Sequence, residues 1–355
     1  MGLQTLRNRT LSVILSVCMI MSLCPLTANA EDTPLVTSET IVDSGTHVES
    51  NETSAIVEDI LGDNLPEGGV APMTIDPAHA YVVDGNSYAA LEEALAAVSS
   101  GGAIILQKDA NPSVKDTIKI EKDVTFDLTN GNLSIHKSAG LALEVKNCTV
   151  SIKGGGQMSV TGGVGLHAIK AAVTVHYVTG NQEKGAAAFD GGQITVLGDA
   201  KGVAAAAYAY GSGSIIIVGD DAMSTGSGGK AVEASVGGHV QAKNAIADGA
   251  NSYGATATGV GSSVLITGNV KGVEGGVWAQ NSAEIEVNGN VISDGGGSTG
   301  AWANTGGKIT VDGSITAENY IKVGSTAKTS ADKEPVTGKE GYDTYTDNTS
   351  TVWVK

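Results

Sequence analysis

The sequence predicts an all-β chain wound as a parallel β-solenoid with an N-terminal capping α-helix, and three observations carry that expectation. Glycine supplies 49 of 355 residues while aromatics are only 4%. Such a composition cannot fill bulky cores between crossing elements and suits stacked strands joined by tight turns. A fifteen-residue unit recurs six times, and one amphipathic helical stretch stands immediately ahead of the strands.

The repeat is the strongest of these signals. Units at 185–199, 206–220, 231–245, 255–269, 276–290 and 300–314 align without gaps, with starts 21, 25, 24, 21 and 24 residues apart. Fixed units separated by connections of variable length indicate stacked coils whose insertions fall in one set of loops. The tenth position reads Ile194, Ile215, Val240, Val264, Ile285 and Ile309, and the twelfth Val196, Ile217, Ala242, Ile266, Val287 and Val311. Alternate positions that are apolar in every unit are expected to face the interior, because strand side chains alternate sides. The fourth position is almost uniformly alanine (Ala188, Ala209, Ala234, Thr258, Ala279, Ala303), so one wall can approach the others closely. Glycine pairs such as Gly191-Gly192 and Gly306-Gly307 mark the turn between the two strands. Fainter matches at Val150/Ile152 and Val173/Val175 extend the stack upstream. About nine or ten coils are expected, and at about 4.8 Å each they span on the order of 45 Å.

Residues 88–98 are rich in helix formers, with Leu91, Ala94, Leu95 and Val98 on one face, and Ser99-Ser100-Gly101-Gly102 stops them. A solenoid needs such a cover, since an open terminal coil would pair with other molecules.

The ends read differently. Arg7 and Arg9, the apolar run from Leu11 to Leu23 and Ala28-Asn29-Ala30 make residues 1–30 a signal peptide, too short in its apolar part for a comfortable membrane span. Residues 31–79 form an acidic linker expected to be disordered, 80–325 the β-helix with its capping helix, and 326–355 a polar segment ending in a capping strand over 349–354. Removing the signal takes both arginines with it. The 21 basic residues fall to 19 lysines, against 38 carboxylates, and the net charge becomes −19. That excludes nucleic acid as a partner on electrostatic grounds. Cys148 is the single cysteine left beyond the signal, so no intrachain disulfide can form.

The passage from Tyr88-Ala-Ala-Leu-Glu-Glu-Ala-Leu to Gly101-Gly102-Ala-Ile-Ile-Leu-Gln-Lys-Asp109 resembles the opening of pectin-lyase-like β-helix domains of secreted and surface proteins of Gram-positive bacteria. The likeness covers roughly residues 81–325. It implies a right-handed coil and an extracellular or cell-surface location, and it does not imply catalysis. Polysaccharide lyases and hydrolases of that family rely on an arginine, which the chain beyond residue 30 lacks. Gly219-Asp220-Asp221 and Gly237-Gly238-His239 look superficially like two hydrolase motifs, but lysine cannot replace an arginine fork on a uronate carboxylate.

Two candidate sites follow. The third position of the unit reads Ala187, Tyr208, Glu233, Ala257, Trp278 and Trp302. It should face solvent, which places Trp278 and Trp302 one strand apart on the outer wall, with Tyr208 further along, as a candidate glycan platform or an aromatic ladder stiffening the sheet. The fifteenth position sets Asp199 and Asp220 at equivalent turns, a candidate calcium site or simply turn residues capping backbone groups. No other cofactor is indicated. The reading is a secreted, non-catalytic solenoid acting as an extracellular structural, adhesive, or glycan- or protein-binding protein, with a divergent polysaccharide lyase or glycoside hydrolase as the alternative. Its oligomeric state is not legible.

Overall fold

The computed structural model describes residues 79–335 and 338–355. The expected signal peptide and all but the last residue of the expected linker lie outside them. The described chain is a parallel β-solenoid of about ten turns with one short helix, Leu91–Ala97.

Each coil contributes strands to three walls. Wall 1 is an eleven-stranded sheet running from Ile118–Ile120 to Thr326–Lys328. Wall 2 carries strands such as Ala172–Val175, Gln193–Val196 and Lys308–Val311, and wall 3 strands such as Tyr177–Gly180, Ala200–Gly202 and Val291–Ser293. Walls 2 and 3 join into one twenty-one-stranded sheet because Ile215–Ser224 and His239–Ala247 run unbroken around the corner. Between coils the pairing is parallel and in register, as in Ala186↔Ala207 and Val277↔Ala301.

The interior follows the side-chain alternation. Wall 1 turns Ala188, Ala209, Ala234, Ala257, Ala279 and Ala303 inward, all fully buried, against Ile194, Val240, Val264, Ile285 and Ile309 of wall 2. Each fully buried Val or Ile contributes roughly 1.5–3 kcal/mol relative to exposure. Toward the N-terminus the core fills with larger groups, Phe126, Leu133, Met158 and Leu166.

Two coils depart from the gap-free repeat. Gln193 pairs with Ile215, so Ile194 stacks on Ile216 and Val196 on Val218. Ile216 and Val218 are buried, and Ile215 and Ile217, expected inside, face outward. The cause is one extra residue in the turn 211–214, and a one-residue slip exchanges the two faces of a strand. Around residue 257 the same thing happens in the turn 259–262: Glu233 pairs with Thr256 and Ala234 with Ala257. The outward position is therefore Thr256, and the alanine column is complete.

The wall-2 edge at each end is closed by an antiparallel pair. At the N-terminal end Tyr81–Val83 folds back on Asn86–Tyr88 and pairs antiparallel with Gly102–Leu106. Its turn, Asp84-Gly85, has both residues at positive φ, a geometry that an Asp-Gly pair adopts readily. The helix is shorter than expected but buries Leu91, Ala94 and Leu95. At the other end Thr351–Val354 pairs parallel with Lys308–Val311, Asp343–Thr346 pairs antiparallel with it, and Tyr345 is fully buried.

Connection length between walls 3 and 1 depends on one position per coil. Where it is two residues (203–204, 273–274) the last wall-3 residue is Gly202 or Gly272. A Cβ there would lie 1.8 Å from the Ala205 carbonyl oxygen or 1.9 Å from that of Gly275. Coils with five-residue connections place Ser224, Ala247 or Ser293 at that position. Gly202→Ala should therefore lower unfolding free energy by about 1–3 kcal/mol or more in chemical denaturation. The opposite sign is expected at Val236, an exposed β-branched residue held at φ 55. Val236→Asn should raise stability by about 1 kcal/mol, since Asn enters the left-handed region at little cost.

Candidate functional site

The outer face of wall 1 carries one continuous ladder, Lys119–Glu144–His167–Ala187–Tyr208–Glu233–Thr256–Trp278–Trp302–Lys322, each residue in register with the next. Strand alternation puts it outside, because its neighbours on both sides are the inward alanine and valine columns. Two aromatic groups form on it. Trp278 and Trp302 stack at 4.9 Å between centroids and 10° between planes, and Tyr253 lies 5.5 Å from Trp278. Gly275 makes room for Tyr253, since a Cβ there would fall 2.4 Å from its ring. The Lys322 ammonium sits 4.2 Å from the Trp302 ring centroid, and Trp302 Nε1 donates to the Gly324 carbonyl at 3.0 Å.

This arrangement decides what the tryptophans offer. They occupy adjacent coils of the outer wall, but their faces are turned toward each other, along the solenoid axis. Tyr253 packs against Trp278 and Lys322 covers Trp302, so a pyranose has no free ring face to stack on. The geometry is that of an aromatic ladder holding neighbouring strands.

Tyr208 belongs to the second group. Phe189 meets Tyr208 edge-on at 6.0 Å, Tyr210 lies 6.1 Å from Tyr208 at 34°, and His167 packs edge-on against Phe189 at 5.2 Å. Lys184 sits 5.0 Å from the Tyr208 centroid. Tyr210 is 41% exposed, so this cluster, unlike the tryptophan stack, keeps ring surface in solvent. Phe189 and Tyr210 share the fifth position of their units, a coincidence visible in the alignment but overshadowed by the tryptophans two residues earlier in theirs.

Asp199 and Asp220 are not equivalent. The extra residue at 211–214 makes Asp221 the register mate of Asp199, and Asp220 instead pairs with Lys243 at 3.1 Å. What occupies this corner is a polar ladder. Asp199 Oδ1 accepts the Asp221 N–H at 3.2 Å, and Asp221 Oδ1 accepts Asn244 Nδ2 at 2.8 Å. Asn244 and Asn269 accept the N–H of Asn269 and Asn290 at 2.8 Å each, and Asn290 accepts that of Ser314 at 2.9 Å. A shorter ladder at Asp109, Asn132 and Gln157 repeats the device upstream. These contacts are those of side chains capping backbone groups. Among the described residues no group of three or more His, Cys, Asp or Glu is placed to hold a metal ion.

The two hydrolase-like fragments are not brought together. His239 is the register mate of Ile215 at the start of the long strand and hydrogen-bonds Ser263 Oγ at 2.7 Å, while Asp221 lies six residues along that strand, roughly 20 Å away. Cys148 is buried, donates its thiol to the Ile120 carbonyl at 3.3 Å, and has its pKa raised by burial. No described helix is long and apolar enough to cross a membrane.

No family model, curated protein or solved structure matches the chain. The structure supports a β-solenoid compatible with a parallel β-helix, and the likeness to pectin-lyase-like domains goes no further than that architecture.

One rung is titratable. The Met158 N–H donates to His176 Nδ1 at 3.0 Å, which requires that nitrogen to be unprotonated. Burial lowers the pKa of His176, and likewise of His167 and His239, from the ordinary value of 6.5. Below about pH 6.5 the unfolded chain takes up protons that the folded chain resists. Stability should therefore be full above that pH and fall as pH drops toward 5, a window separate from that of the lowered carboxylates Asp127 and Asp347 below about 3.8. Thermal melts across pH 5–7.5 check this, and His176→Asn, which retains an acceptor without the titration, should flatten the decline.

Proposed function

We propose that this chain is a secreted, non-catalytic β-solenoid that binds an extracellular glycan or protein surface through the outer face of wall 1. The observation that carries the reading is the Phe189–Tyr208–Tyr210 cluster, set on an uncovered sheet face with Lys184, Lys230 and Glu233 beside it. Rings with exposed edges and partial faces, next to groups that donate and accept hydrogen bonds, suit an amphipathic ligand. Tyr208 thus stays in the proposed site with Tyr210 as its exposed partner, while Trp278 and Trp302 support the wall. The scattering of the outward carboxylates, several already paired with lysines as in Lys153–Asp127 and Lys308–Glu284, favours binding over hydrolysis.

A glycan array probed with the chain freed of residues 1–30 tests the glycan arm of this reading. Discrete binding abolished by Tyr208→Ala with Tyr210→Ala, and retained by Trp278→Ala with Trp302→Ala at a temperature where that variant is folded, is the expected result. Loss through the tryptophans alone would move the site to the stack. A silent array would remove glycan as the ligand.

A further inference from the structure

Wall 2 has an outer face unlike the rest of the molecule. Two outward ladders cross it, one running from Thr149 to Ser263 and the other from Ser151 to Leu265, over six consecutive coils. No Asp, Glu or Lys stands on either, in a chain whose formal net charge is −17. At their centre are Ile215 and Ile217, the isoleucines that the extra turn residue rotates out of the core, with Leu265 two coils on. Apolar residues rim the patch at both corners: Val236 and Val260, 54% and 80% exposed, before the strands, and Leu197, 46% exposed, after them. Depletion of charge around half-exposed aliphatic side chains is the composition of an interface core rather than of an ordinary wet surface.

We propose that this face docks a second copy of the chain, sheet against sheet, about a two-fold axis lying along the Ile215–Val218 strand. Charge pattern selects that occupant. Reversing the coil order about this strand brings the ladder position of Lys308, four coils up, opposite that of Asp123, four coils down. The row of Glu286, three coils up, meets the row of Ser151 and Lys153, three coils down, and the uncharged coils between meet one another. Isologous contacts of this kind are the commonest in soluble oligomers. Six strands at about 4.8 Å and four residues at about 3.3 Å give a flat area of roughly 400 Å². A standard interface buries about 800 Å² per partner, so the dimer is weak and concentration-dependent. Because the net negative charge lies outside the contact, the dimer tightens as salt rises.

Sedimentation of the chain freed of residues 1–30, from micromolar to millimolar concentration at low and high salt, tests this. The expected result is reversible dimerisation that strengthens with salt. Ile217→Lys and Leu265→Lys, both outward substitutions, should each weaken it tenfold or more with the far-UV circular dichroism unchanged. Ile292→Lys, the same change on the outer face of wall 3, should leave it intact. A chain that stays monomeric throughout, dimerisation unaffected by Ile217→Lys and Leu265→Lys, or equal loss in Ile292→Lys would each overturn the proposal.

Discussion

Everything in this fold depends on the stacking of equivalent inward side chains from coil to coil. Successive coils lie about 4.8 Å apart, so every inward residue rests on its counterparts above and below, and each coil stabilises only its neighbours. The alanine column of wall 1 shows how strict the constraint is. Ala188, Ala209, Ala234, Ala257, Ala279 and Ala303 are all fully buried, and no coil in that run substitutes a larger residue. An inserted residue must therefore be absorbed inside the turn where it arises, or every side chain after it changes face.

The turns that absorb insertions do so by hydrogen bonding. Ser214 in one longer turn donates to the Tyr210 carbonyl at 2.7 Å and accepts the Gly191 N–H at 3.1 Å. Ser262 makes the equivalent pair with Thr258 and Gly237 at 2.7 and 2.9 Å, and Ser350 accepts the Gly306 N–H at 3.1 Å. A buried hydroxyl thus ties the longer turn to the coil beneath it and leaves no polar group wanting a partner. The Asn and Asp ladder does the same work at the wall 2–3 corner, where neutral amides replace carboxylates from Asn244 onward. Ion pairs such as Lys271 with Asp248 and Asp294, at 2.8 and 3.4 Å, lie outside and add little individually.

Much of this was legible from the chain because the coils repeat. The period, the inward columns and the helix with its buried Leu91, Ala94 and Leu95 follow from residue spacing alone. The register of two coils did not, and the reason is physical. Ile215-Ile216-Ile217-Val218 is apolar at every position, so alternation gives no phase, and only the length of the Gly211–Ser214 turn sets which isoleucines point inward. That slip also decided the fate of Asp220. For the aromatic positions, the alignment placed Trp278 and Trp302 together but could not orient their rings, which depends on Gly275 making room for Tyr253 and on Lys322 closing the stack.

The outer surfaces then divide by chemistry: an aromatic and charged wall 1, an uncharged wall 2 and a polar ladder at the corner with wall 3. Each depends on the same inter-coil register, so register is the claim to test first. Two variants that differ only in position do so most directly: Ile216→Asp and Ile215→Asp, compared by thermal unfolding at pH 7.5. Ile216 is fully buried and its neighbour faces outward. The account predicts that Ile216→Asp, which buries an unpaired carboxylate, fails to fold or melts far below the parent chain, while Ile215→Asp melts within a few degrees of it. The reverse order would place Ile215 in the core and contradict the register on which the solenoid is built.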